Sequence, residues 1–306
     1  MVPQSAPTVS DPRLSKNADL FDYEPRTEDA PAHYDRNEIV ADLTTFYHFL
    51  PHVSASTVHT APPGGWPGIT KESLAKHDIY KSPEAIDLIR HLPYISSNEP
   101  WIMMTAYVCD YRCASLPSEA TILEGRPRWF FNAASEQWPI WTVMLTAGTD
   151  REASVYILDT TDGTVTRYCA GDCGPYPPTY PADDPRSWRD RIDMQTLTVK
   201  EWLSYWKKKY IEMTILTIPP DDDGYGSHDP YFGKIDEKPG SYNYDIMNSM
   251  RKIYRDYGWP GIDNYRKGDC IEELKSWYKD YEVRQLKQLE LETRLYWENK
   301  VVNVPE

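Results

Sequence analysis

WPIWTVMLTAGTDREASVYILDTTDGTVTRY, residues 138–168, alternates and turns as an antiparallel β-meander does. Ile140 to Thr146 is rich in β-branched and aromatic residues, Ala147 to Asp150 carries turn chemistry, and Ser154 to Asp159 makes a second strand. Asp162 and Gly163 read as a tight type I′ turn. Such a turn needs positive φ at both positions and sends Thr164 to Tyr168 back antiparallel on Val155 to Leu158. So small a sheet must bury a face. Thr198 and Glu201 form a capping box, and Val199, Trp202, Leu203, Trp206 and Tyr210 form one apolar stripe at helical spacing, so the expected cover is a helix. The expected class is α+β: an antiparallel β-meander sheet covered by helices, with a C-terminal helical extension.

Working outward, residues 1–33 are rich in Pro, Ser, Asp and Glu and read as a disordered arm, with Leu20, Phe21 and Tyr23 as its few anchors. Asp35, with Glu38 three positions on, caps a helix whose face is Ile39, Leu43, Phe46, Tyr47 and Leu50 and which Pro51 ends. Pro62, Pro63, Gly64 and Gly65 sustain neither helix nor central strand, which puts Trp66 on a loop. Thr70 caps a short helix, and Ser82-Pro83 opens another that Pro93 stops. Trp101 to Cys109 suits a buried strand or a helical segment, with strand the expectation, and Arg128 to Asn132 reads as a further sheet edge. Met213 to Ile218 alternates weakly, as a strand would.

Residues 219–244 are acidic, lack a hydrophobic period and read as a linker. Residues 245–300 form the helical extension: Ile246, Met250, Ile253 and Tyr257 share a face, Gly258 suits a left-handed cap, and Asp269 with Glu272 starts a longer helix. That helix is expected to bend near Asp280 to Val283.

Strand, LDTTDGTV strand, irregular crossing and Trp-rich helix together resemble the SUKH superfamily, which includes fungal cell-wall-assembly regulators and bacterial toxin-immunity proteins. The residues that carry the resemblance are Pro62 to Pro67 (PPGGWP), Leu92 to Ile95 (LPYI), Tyr156 to Thr164 (YILDTTDGT) and Val199 to Trp206 (VKEWLSYW). The resemblance implies a SUKH-like α+β domain over residues 34–218, a fungal source and a protein-binding role. It brings no catalytic signature.

The balance of 33 basic to 47 acidic residues gives a net charge of −14, and an acidic field repels phosphate backbones and anionic membranes, so no nucleic-acid partner is expected. No apolar run is long enough to span a bilayer and the N-terminus lacks a signal-peptide core, so the expected location is the cytosol or nucleus, without membrane. Five cysteines in 306 residues fit a reducing compartment.

Cys109, Cys113, Cys169 and Cys173 are the sharpest metal hypothesis. Their three-residue spacers are not those of zinc knuckles, so buried thiols are expected and no metal or cofactor. His48 and His52 are four apart, but Pro51 spoils a helical ligand pair. Asp159, Asp162, Asp183, Asp184 and Asp221 to Asp223 offer carboxylates for acid–base work or a cation, although turn formation explains most of them. Neither GxSxG, GxGxxG nor a P-loop occurs.

Aromatics remain: 11 Trp and 23 Tyr against 6 Phe favour rings that carry a polar handle. Trp66, Trp129, Trp138, Trp188 and Trp259 sit beside turns, where rings line a groove, and are the candidate binding residues. Two functions compete: a non-catalytic protein-interaction module with a protein partner, and a small-molecule pathway enzyme with an aromatic-lined acid–base pocket. Loop carboxylates and histidines converging in a concave pocket favour the enzyme.

Overall fold

The computed structural model describes residues 32–95, 101–103, 106–112, 138–147, 154–169, 178–191, 196–219, 231–232 and 242–302. The Asp35 side chain accepts the amides of Asn37 and Glu38 and starts helix α1 (Arg36–Phe49), which buries Ile39, Leu43, Phe46 and Tyr47. Strand β1 (Val58–His59) follows, then α2 (Lys71–Ala75) behind its Thr70 cap and α3 (Pro83–His91) behind Ser82. Strand β2 (Tyr94–Ile95) pairs back on β1.

The Trp101-to-Cys109 stretch supplies two strands, β3 (Trp101–Met103) and β4 (Ala106–Val108), which pair antiparallel. The meander is β5 (Thr142–Met144), β6 (Thr146–Ala147), β7 (Ser154–Asp159), β8 (Thr164–Cys169) and β9 (Thr196–Thr198). Its strand order is β5-β7-β8-β9, all antiparallel, while β6 leaves to pair with β4. Leu145 joins the two sheets, its N–H donating to Tyr156 O and its carbonyl accepting from Cys109 N.

Val155 faces Tyr168 and Leu158 faces Val165, so Thr164 to Tyr168 folds back on Val155 to Leu158 as expected, but two residues out of the register that a two-residue turn at Asp162 and Gly163 would set. The turn is different. Asp159 pairs with Thr164, so residues 160–163 make the connection, Gly163 N donates to Asp159 O at 2.8 Å, and Gly163 but not Asp162 takes positive φ, +72°. Asp162 turns its carboxylate inward, to Thr164 and Arg189. A Cβ on Gly163 would collide with the His33 carbonyl, so the segment before α1 lies directly on this turn.

Helix α4 (Val199–Ile211) has both halves of its capping box and buries the expected five residues; Trp202 lies 5.0 Å, centroid to centroid, from the Tyr156 ring of the meander. Within residues 219–244, expected as a linker, the described pair β11 (Tyr231–Phe232) is a strand that pairs with β10 (Ile215–Leu216). Helices α5 (Tyr242–Asp256) and α6 (Lys267–Val302) form the extension, and α6 is one uninterrupted helix across residues 280–283. The extension shares the main core through Met247, Met250, Tyr254 and Leu274. Lys267 fastens it: its ammonium donates to His48 O, Leu50 O and Val53 O at 2.6, 2.7 and 3.2 Å, satisfying carbonyls at the end of α1. Burial pushes this amine down to about 8.

Candidate functional site

Among the described residues, the helix α3 terminus builds the one place where a candidate tryptophan reaches the surface. A helix ends with carbonyls that lack intrahelical partners. The loop Pro62 to Gly68 supplies donors to them: Trp66 N bonds Arg90 O at 2.8 Å, and the Trp66 indole Nε1 bonds Leu92 O at 2.9 Å. In return Arg90 Nη2 donates to Gly64 O at 2.8 Å, and Gly65 N closes the loop on Pro62 O at 2.8 Å. Gly64 and Gly65 both have positive φ, and a Cβ on Gly65 would stand 2.8 Å from Arg90 O, so only glycine allows the backbone this close.

The ring is therefore held at its polar edge and left half-buried, between exposed Pro62, Pro63 and Pro67. Arg112 supports it, with its guanidinium 4.8 Å from the Trp66 centroid and 5.0 Å from that of buried Tyr94. Asp110 grips Arg112 in a fork, Nε to Oδ1 at 2.9 Å and Nη2 to Oδ2 at 2.6 Å, so this cation is neutralised in place. Arg90, by contrast, forms no ion pair with any described residue.

The other candidates lie elsewhere. Trp129 falls outside the described residues. Trp138, Trp188 and Trp259 are only 4%, 3% and 3% exposed, which corrects the expectation that they line a surface groove. Trp138 packs edge-on against Trp188 and Tyr168, and Trp259 is wedged between Phe49 and Tyr265 with its indole bonded to Tyr210 O. Large rings near turns in sequence still bury where the turn folds over core.

What sequence reading missed is a buried polar node at the meander turn. Arg189 is 0% exposed, and its Nη2 donates to Asp159 Oδ2 at 2.9 Å and Asp162 Oδ2 at 2.8 Å. The remaining carboxylate oxygens are also engaged. Asp159 Oδ1 accepts from the amide and hydroxyl of Thr161, Asp162 Oδ1 from those of Thr164, and Trp188 Nε1 reaches Asp159 Oδ2 at 3.3 Å. Burial pushes the Asp162 carboxyl up, against the opposing pull of Arg189. The signal was the doubled spacing Asp159-x-Thr161 and Asp162-x-Thr164, two side-chain turns in succession.

The histidines do not join these carboxylates. His52 is buried with Nε2 on Trp101 O, and desolvation pushes it down to about 3, so it is neutral. His91 Nδ1 is spent on Asp87 O. Cys109, Cys169 and Cys270 are buried thiols, Cys113 and Cys173 lie outside the described residues, and no described group of three or more His, Cys, Asp or Glu is placed to hold a metal. No described helix is long and apolar enough to cross a membrane. No protein-family model matches the chain, and no curated protein and no solved structure matches it.

Proposed function

We propose that the chain is a non-catalytic protein-interaction module of the SUKH-like type, which engages a protein partner through the Trp66 loop. The observation that carries this reading is a half-buried indole on a pre-organised, proline-flanked loop, whose backbone is fixed to a helix end before any partner arrives. A surface ordered in advance loses little entropy on binding, and Trp is the residue most enriched at binding hot spots. The partner chemistry it suits is an apolar side chain against the Trp66 ring, with an acidic group at the edge for Arg90. Buried thiols and an acidic surface support a location in the cytosol or nucleus.

The enzyme reading draws less support. The carboxylates that do converge, Asp159 and Asp162, face Arg189 in the core and have every oxygen engaged. The test is capture from the native cell with the full chain and its Trp66→Ala variant. Loss of one reproducible partner from a variant that remains folded supports the module; an unchanged partner set removes the Trp66 loop from it, and turnover of a small molecule replaces it with an enzyme.

A further inference from the structure

Helix α6 begins in the core and leaves it. Cys270 and Leu274 are fully buried, Trp277, Tyr278 and Tyr281 are half-buried, and every residue from 282 to 295 is exposed. That stretch carries five of the large hydrophobics exposed among the described residues: Val283, Leu286, Leu289, Leu291 and Leu295. A lone helix of this size is marginal in water, so an apolar arm points to a partner.

The stripe that anchors the helix through Cys270 and Leu274 continues at alternating steps of four and three residues. It runs through Trp277, Tyr281, Arg284, Gln288, Leu291 and Leu295, a heptad seam. The opposite face holds Val283, Leu286 and Leu289, but it continues toward the core as Lys275, Ser276 and Lys279, so it does not join the buried Cys270 and Leu274. In a parallel pair the seam would set Arg284 against Arg284. In an antiparallel pair with its axis near residue 286, Trp277 meets Leu295, Tyr281 meets Leu291 and Arg284 meets Gln288, each layer occurring twice. The same register brings Asp280 beside Arg294 of the other copy.

Charge favours the same arrangement. Residues 282–295 hold three acidic and three basic side chains, so the arm is neutral on a chain of net charge −14. Antiparallel arms also place the two acidic bodies at opposite ends of a seam about 27 Å long, several screening lengths apart; parallel arms would set them side by side. We propose that α6 is a self-association arm, pairing antiparallel with a second copy of this chain through the Trp277–Leu295 seam.

Sedimentation velocity of the full chain across the micromolar range tests this. The expected species is a dimer of twice the 35.5 kDa chain mass. Leu291→Asp with Leu295→Asp should weaken it by more than about tenfold, and Leu286→Ser with Leu289→Ser should leave it intact. Asp280→Arg should weaken it about threefold to tenfold, and adding Arg294→Asp should restore it, because those positions meet only when the helices run antiparallel. These side chains are exposed, and an unchanged melting temperature verifies folding. A monomer at every concentration, dissociation by the Leu286/Leu289 pair instead, or no rescue by the double charge swap would each overturn the proposal.

Discussion

Two clusters in this molecule use the same three residue types for different ends. At the meander turn, Arg189 lies 5.5 Å from the Trp188 ring and binds Asp159 and Asp162, all within the core. At the end of α3, Arg112 lies 4.8 Å from the Trp66 ring and binds Asp110, but Trp66 is only half-buried. The difference is what desolvation does to each charge. A buried guanidinium needs every partner it has, because an unpaired ion there costs several kcal/mol, whereas a partly solvated one can lose its partner to water. The first cluster defines the fold; the second holds a ring in place at the surface.

The largest expected effect comes from breaking the buried node. Arg189→Met should cost about 3–5 kcal/mol at neutral pH, read by denaturant unfolding, because it strands two carboxylates. Asp162 would then sit further above its unfolded range. A native group that binds its proton more readily than in the unfolded chain adds stability as pH falls, so the variant's deficit relative to the parent chain should shrink from pH 7 toward about 4. A variant without that trend would mean Asp162 is not held by Arg189. Gly163→Val should follow, at about 2–4 kcal/mol, from left-handed strain together with the collision with His33 O. The surface counterpart, Gly65→Ala, should cost about 1–2 kcal/mol, since the loop can retreat from Arg90 O into solvent. Smallest is Arg112→Ala: about 0.5–1 kcal/mol of stability in a thermal melt, with the Trp66 loop freed for amide exchange at Gly65 and Trp66. A loss equal to that of Arg189→Met would erase the distinction between the clusters.

Local chemistry was legible in the sequence and long-range chemistry was not. The caps at Asp35, Thr70, Ser82 and Thr198 are closed within three residues, so reading the chain finds them. The pairing of Val155–Leu158 with Thr164–Tyr168 follows from alternation across one short turn, although the longer connection at 160–163 sets its register. The partition of Thr142 to Ala147 between two sheets needs β4, more than thirty residues away in the chain, and leaves no local mark. Arg189 likewise meets its carboxylates across a separation of 27 to 30 residues. Nearness to a turn, the feature shared by the five candidate tryptophans, records where the chain bends and not which side of the bend is wet. Trp66 differs from Trp188 because its loop folds over a helix end, not over a sheet.

The most direct measurement compares Trp66→Ala with Trp188→Ala, each scored for unfolding free energy and for capture of the same native partner. The expected result is a loss of about 1–2 kcal/mol in stability for Trp66→Ala with capture weakened by more than about tenfold, and about 3–5 kcal/mol in stability for Trp188→Ala. Equal destabilisation by the two, or full capture by a folded Trp66→Ala chain, would contradict the assignment of the Trp66 loop as the binding surface.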